Sequence, residues 1–234
     1  MQDPIRNIII IGSGNLASRL AIALHNANIE ILQVCSRHQE NAIKLAKKVR
    51  AGAINDFTRI NPDADLYIIA VSDKAIGEVS NKLDIKDKMI VHTSGSVAME
   101  LLNNHFNKYG VLYPLNTFSK EKAVDFNKTP VCIEANEQAS LLRLKDLARK
   151  ISGDVREVNS NQRLIIHTAA VFASNFANHM YSISADILES KGISFNIMKP
   201  IIQEVAEKIL RHDPLKAQTG PALRKDHQTL AKHL

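Results

Sequence analysis

The residues with the clearest chemical bearing come early, where Gly12-Ser13-Gly14-Asn15-Leu16-Ala17 follows directly on Ile8-Ile9-Ile10-Ile11. In such a string Gly12 permits a tight turn, and Gly14 lets the backbone approach a diphosphate closely. The small Ala17 lets the next helix pack against the strand. A helix that opens there turns its first N–H groups and positive dipole end toward the same point. The string alone is weak evidence, and a Gly-rich turn in another α/β sheet is the plain alternative. Between a β-branched strand and an amphipathic helix, however, it has the context of a dinucleotide phosphate loop. Gly12, Ser13, Gly14, Asn15 and Leu16 are therefore the expected cofactor-binding residues.

The end of the second apolar run bears on which dinucleotide. A site for NAD places an acid ~20 residues beyond the glycines, where it holds the ribose 2′-OH. Here the chain reads Cys35-Ser36-Arg37-His38, with no acid before Glu40. Ser36 can hydrogen-bond a 2′-phosphate and Arg37 can pair with it, so the expected cofactor is NADP(H). A solvated loop charge is the alternative for Arg37.

Two further strand ends carry polar residues, Ala70-Val71-Ser72-Asp73-Lys74 and His92-Thr93-Ser94-Gly95-Ser96. Ligands of open α/β sheets sit outside the carboxyl ends of the strands, which makes Val71, Ser72 and Ser94 expected cofactor contacts. Asp73 reads as an N-cap for a helix starting at Lys74. His92 is a candidate proton donor, and a packed structural imidazole is the alternative.

The elements that must hold these residues alternate. Ile31 to Cys35, Ala51 to Ile54, Leu66 to Val71 and Met89 to His92 read as strands, with helical periodicity after the glycines and over Ala42 to Val49. Repeated strand–helix order implies a parallel, doubly wound sheet. Val111 to Tyr113, Val131 to Glu134 and Val155 to Val158 extend it, with a covering helix over Leu141 to Lys150. From Asn161 to Ser190 there is neither Pro nor Gly, and apolar residues occupy several faces. One helix of ~30 residues, spanning ~45 Å, is expected, ended by Gly192. The fold class is thus α/β, a doubly wound Rossmann domain over 1–158, followed by an all-α domain over 159–234 for substrate binding and dimerisation. The pattern at Leu234 carries no stop signal, as for a last helix cut short.

Composition narrows the partners. The 234 residues are 45% hydrophobic and 23% charged, as in ordinary globular proteins. The formal charge is +6, but aromatics make up only 5% and Trp is absent. Its basic clusters, such as Lys44/Lys47/Lys48/Arg50, sit on helical patterns as solvated faces. Nucleic-acid binding, which uses a concentrated basic stripe with stacking aromatics, is not expected. Cys35 and Cys132 form neither a disulfide framework nor a metal spacing. With no signal-peptide pattern at Met1 and no apolar run near ~18 residues, the expectation is a cytoplasmic protein without membrane or metal partners.

The N-terminal half resembles the pyrroline-5-carboxylate reductase and β-hydroxyacid dehydrogenase superfamily, through Ile11 to Ala17 and Ala70 to Ile76. Nearly the whole chain resembles a bacterial family of Rossmann-like proteins with a C-terminal helical domain of unknown function, described as NADP-dependent oxidoreductases. Tyr113 to Ser119, His167 to Phe176 and Thr219 to Asp226 carry that likeness. The superfamily resemblance implies a long interdomain helix with Lys, the proton donor, four residues before an Asn. Taking Asn175 as that Asn puts Val171 in the Lys position, and valine transfers no proton. His167 lies two turns before Asn175 on the same face, so His167 and Asn175 join His92 as candidate catalytic residues. A buried structural role is the alternative for His167, and Tyr113 is either a weak acid or a packed aromatic. The resemblance also implies pairing of two copies through the helical domain. The expected function is NADP(H)-dependent hydride transfer to or from a carbonyl or imine carbon of a small substrate. A non-catalytic NADP-binding sensor is the alternative.

Overall fold

Each of the four isoleucines of β1 (Asn7–Ile11) is buried, and they divide between two cores. Ile8 and Ile10 pack with helices α1 (Asn15–Asn26) and α2 (Gln39–Val49), while Ile9 and Ile11 pack with α3 (Asp73–Ser80). Successive strand residues point to opposite faces, so a strand apolar throughout demands helices on both sides. The computed structural model describes residues 3–85, 87–119, 123–221 and 223–232.

The remaining strands are β2 (Glu30–Cys35), β3 (Gly52–Ile54), β4 (Leu66–Ile69), β5 (Met89–His92), β6 (Lys108–Pro114), β7 (Val131–Ala135) and β8 (Val155–Glu157). They form one eight-stranded sheet in the order β3-β2-β1-β4-β5-β6-β7-β8. The chain reverses its crossover direction at β1, whose neighbours are β2 and β4, and opens a crevice at their carboxyl ends. One departure from the all-parallel expectation lies at the far edge, where β7 runs antiparallel to β6 and β8 follows β7 in parallel. Among the described residues between β6 and β7, the single helical turn is Phe126–Lys128, so no covering helix carries the chain back for a parallel return. Helix α4 (Gln138–Arg149) supplies that crossover between β7 and β8.

The long C-terminal helix starts at a capping box, in which Asn159 Oδ1 accepts from Gln162 N–H and Gln162 Oε1 accepts from Asn159 N–H. It is interrupted rather than uniform: α5 (Ser160–Ala170) passes through a π-helical stretch, Val171–Phe176, into α6 (Ala177–Glu189). The chain divides into two compact units, 1–174 and 175–234. Arg163 on α5 is 1% exposed and ion-paired with Glu134 of β7. Its guanidinium also donates to the Val97 carbonyl at 2.6 Å. Ser160 Oγ accepts from Met99 N–H at 3.0 Å, and Ser160 N–H donates to Glu134 at 2.7 Å. These bonds fasten α5 to the sheet edge and to the loop after β5.

The second unit contains α6, a turn at Phe195–Met198, α7 (Lys199–Arg211), α8 (Pro214–Ala217) and α9 (His227–Ala231). Gly192, at φ +68, stops α6, with Ile193 N–H bonded to Leu188 O. Among the described residues of this unit, Ala217 alone is buried, while Met180, Ile183, Ile187, Ile201, Val205 and Ile209 are exposed. Among its described residues the unit has helices with apolar stripes and no buried cluster of its own.

Arg163→Met leaves the Glu134 carboxylate buried without its cation. It is expected to cost about 3–5 kcal/mol, read as a lower denaturant midpoint. Adding Glu134→Gln should recover part of the loss. A midpoint equal to that of the wild type in Arg163→Met would deny the ion pair this role.

Candidate active site

The turn between β1 and α1 is set by backbone contact. Gly12 has φ +124, and a Cβ there would lie 2.1 Å from the Ala70 carbonyl oxygen. Gly12 N–H donates to Cys35 O at 2.8 Å, which closes the turn against β2. Gly14, by contrast, has nothing within 4 Å of where a Cβ would stand. It occupies the N-cap of α1 without a side-chain cap, and the first turn contains no acid. The first-turn N–H groups, which a helix cannot satisfy internally, thus lie beside open space. That arrangement suits a diphosphate.

Beside the turn is a cleft of about 430 Å³ whose lining includes Ser36, Arg37, Phe57, Val71, Ser72 and Lys82. Ser13 Oγ and Ser36 Oγ are 2.7 Å apart, and Ser36 Oγ accepts from His38 N–H at 3.3 Å. Arg37 is exposed and makes no ion pair among the described residues. Across from it, the Glu78 carboxyl is held below its ordinary range by Lys82, which donates to it at 2.6 Å, with a smaller pull from Arg37. The hydroxyl pair and the open guanidinium fit a phosphorylated ribose. Cys35 lines the floor, where burial pushes its thiol up to about 11, so it stays protonated.

The side chain and backbone of Asn15 face different partners. Its side-chain amide donates to Phe118 O at 3.1 Å, while Arg19 reaches Ser119 O. Both tie the segment after β6 across the start of α1, which leaves Asn15 its backbone N–H for a ligand. Leu16 packs partly into the core.

A second group assembles at the ends of β5 and β6. Ser94 Oγ accepts from Ser96 N–H and Val97 N–H at 3.1 and 3.0 Å, which folds the loop on itself. Ser96 Oγ donates to Asp73 at 2.6 Å. The N-cap of α3 is Ser72 and not Asp73, whose carboxylate is turned to Ser96 instead. His92 is 0% exposed and its Nδ1 accepts from Ser94 N–H at 3.2 Å. Burial, aided by the Arg163 charge, pushes this imidazole down to about 4 against the opposing Ala98 backbone and Asp73. His92 is therefore uncharged near neutrality and sealed from solvent.

His167 of α5, half-buried, meets Tyr113 of β6 with Nδ1 and Oη 3.0 Å apart. Gly95 passes beneath them, where a Cβ would lie 2.6 Å from His167 Nδ1. The first unit thus brings together Asp73, Ser94, Ser96, Tyr113 and His167. Asn175 belongs to the second unit, with an exposed side chain. The Tyr113 pairing and the Arg163–Glu134 tie escaped the sequence reading. A charged residue one turn before His167 within an apolar helical run was the available signal for the latter.

A family model described as "NADP oxidoreductase coenzyme F420-dependent" matches residues 7–95, and a "Domain of unknown function (DUF2520)" matches residues 129–234. The crystal structure of a "putative NADP oxidoreductase" from Bacteroides fragilis shares 41% identity, covering 98% of this chain and 90% of that one, at a TM-score of 0.90. The chain belongs to this family of NADP oxidoreductases. A protein from Thermotoga maritima is similar at 25% identity and a TM-score of 0.82, covering 97% of this chain and 88% of that one. A pyrroline-5-carboxylate reductase from Streptococcus pyogenes shares the fold, with 14% identity, a TM-score of 0.67 and coverage of 94% and 84%. A glutamyl-tRNA reductase from Sulfurihydrogenibium sp. is 34% identical over 84 residues, which is 35% of this chain but only 18% of that relative. The protein is an oxidoreductase enzyme using a nicotinamide cofactor. No helix among its described residues is long and apolar enough to cross a membrane.

The two glycines of the loop should respond differently to substitution. Gly12→Ala is expected to destabilise the fold, by about 1–3 kcal/mol from the backbone conformation alone and further from the clash with Ala70. Gly14→Val should fold, losing about 1 kcal/mol at the cap, and fail to bind the nucleotide. Denaturant unfolding and NADPH fluorescence titration check both. A folded Gly14→Val protein with wild-type affinity would reject the loop as the diphosphate site.

Proposed function

We propose that this oxidoreductase uses NADP(H) to reduce, or in reverse oxidise, a carbonyl or imine carbon of a small substrate. The observation that carries the cofactor choice is the end of β2, where the Ser13–Ser36 hydroxyl pair and open Arg37 stand in place of an acid. A carboxylate there would accept from a ribose 2′-OH and repel a 2′-phosphate, whereas these groups donate to one. Gly12, Gly14 and the first-turn N–H groups of Asn15 and Leu16 hold the diphosphate, with Val71 and Ser72 bounding the cleft.

A bound nicotinamide supplies or accepts the hydride; the rest falls to the chain's own residues. His167 offers a ring nitrogen to the substrate heteroatom as the group that hands over a proton. It stands in for the lysine whose position Val171 occupies. His92 and Ser94 serve as scaffold, holding the 94–98 loop that faces His167. This reading rests on first-unit residues alone.

The second unit, without a core of its own, is the proposed surface for a second copy, whose equivalent stripes on α6 and α7 would cover these. Free cysteines at Cys35 and Cys132, both buried, suit a reducing compartment such as the cytoplasm.

Arg37→Ala should weaken NADP(H) by ~10–100-fold, the worth of a charge-assisted hydrogen bond of ~1.5–3 kcal/mol, and leave NAD(H) nearly unchanged. Equal weakening of both cofactors would remove Arg37 from 2′-phosphate recognition. For chemistry, a panel of small ketones, aldehydes and imines is followed by NADPH absorbance. On whichever substrate turns over, His167→Gln should lower kcat by ~10²–10⁴-fold and spare NADPH affinity. Undiminished turnover would exclude His167 as the donor. For assembly, light scattering at micromolar concentration should give the mass of a dimer, and a folded monomer would contradict it.

A further inference from the structure

We infer that Tyr113 acts through His167 as a positioning residue: its phenol takes up Nδ1, leaving Nε2–H as the nitrogen offered to a substrate, and Gly95 lets the pair close. This inference rests on the reading of His167 as the proton donor.

The two rings meet edge-on, with centroids 5.9 Å apart and planes at 72°. The direction of the hydrogen bond follows from what each group can satisfy. Tyr113 is 8% exposed, and among the described residues His167 Nδ1 is the hydrogen-bond partner of its hydroxyl. A buried phenol that fails to donate forfeits ~1–3 kcal/mol, so the O–H donates and Nδ1 accepts. A neutral imidazole has one N–H and one acceptor nitrogen. The ring proton is then on Nε2. Burial pushes the Tyr113 phenol up to about 12, so it keeps its proton through the neutral range.

The groups facing the pair come from four elements. Asp73 at the start of α3 and Cys132 on β7 oppose ionisation of the phenol, while Arg163 on α5 favours it. The Arg163 charge is paired with Glu134, and His92 on β5 is neutral. Gly95 completes the arrangement from below. A Cβ there would stand 2.6 Å from His167 Nδ1 and 2.7 Å from Tyr113 Cζ, so any side chain would force the rings apart.

As Nε2–H gives its proton to the heteroatom of the reduced substrate, the phenol gives its own to Nδ1. The Nε2–H and phenol O–H bonds break, and the Nδ1–H bond and the substrate's O–H or N–H bond form. The imidazole stays neutral throughout. The negative charge moves from the substrate heteroatom to the phenolate, which regains a proton from solvent.

The test is nitrogen NMR of the full chain with labelled histidine, without substrate, together with pH–rate profiles. The wild type should show His167 as the Nε2–H tautomer, and Tyr113→Phe should convert it to a mixture. In Tyr113→Phe only the imidazolium can give a proton and end neutral. Turnover in the reducing direction should therefore fall ~10–100-fold and decline more steeply with rising pH than in the wild type. Gly95→Ala wedges a methyl group against Nδ1 and should give the same tautomer change, which keeps the test open if Tyr113→Phe does not fold. An Nδ1–H tautomer in the wild type, or a tautomer unmoved by either variant, overturns the inference. The tautomer is read without turnover, so this result is separate from His167→Gln, whose undiminished activity would sink the proton-donor reading instead.

Discussion

Nothing larger than a hydrogen fits on Gly12, and the cofactor end of the molecule follows from that constraint. The strand-to-helix turn crosses so close to β4 that a methyl group would overlap the Ala70 carbonyl. That proximity starts α1 directly over the crevice between β2 and β4, which is where a doubly wound sheet opens. Because Gly14 caps the helix without a side chain, the positive end of α1 is neither filled nor neutralised from within. Two serine hydroxyls, Ser13 and Ser36, then meet at the end of β2 beside the cleft.

The opposite edge of the site depends on a buried charge. Arg163 brings three segments to one point: α5, the β7 strand through Glu134, and the loop after β5 through Val97. Its side chain is buried one turn before His167. The same guanidinium therefore holds the helix that presents His167 and the loop that passes beneath it. It also helps keep His92 neutral. Two histidines thereby acquire different characters: His92 is sealed in the sheet, and His167 is half-buried beside a tyrosine.

Much of this was legible in the sequence because its signals are local. The four-isoleucine strand, the glycine spacing and the absent acid after β2 each act within a few residues, and the sheet strands follow from runs of β-branched residues. What was not legible depends on pairing at a distance. Tyr113 and His167 are 54 residues apart and meet only because α5 is fastened back onto β7. The antiparallel β7 follows a connection whose described residues hold only one short helical turn, a property of the β6–β7 excursion as a unit. Asp73 looked like a cap because the residue type suits one, but Ser96, 23 residues on, competes for its carboxylate. The long apolar helix was visible, whereas its π-helical stretch and the division at Ser174/Asn175 were not. Its exposed stripes have the periodicity of buried helices, so periodicity signalled burial without naming what does the burying.

The proposed reading of the cleft beside Gly12 turns on a 2′-phosphate. Calorimetric titration of the wild-type protein with NADPH and with NADH, at matched ionic strength, measures it directly. NADPH should bind tighter by ~10–100-fold, from one charge-assisted contact of ~1.5–3 kcal/mol, and this margin should narrow as salt screens the exposed Arg37. NADH binding as tightly as NADPH, or a preference indifferent to salt, would contradict it.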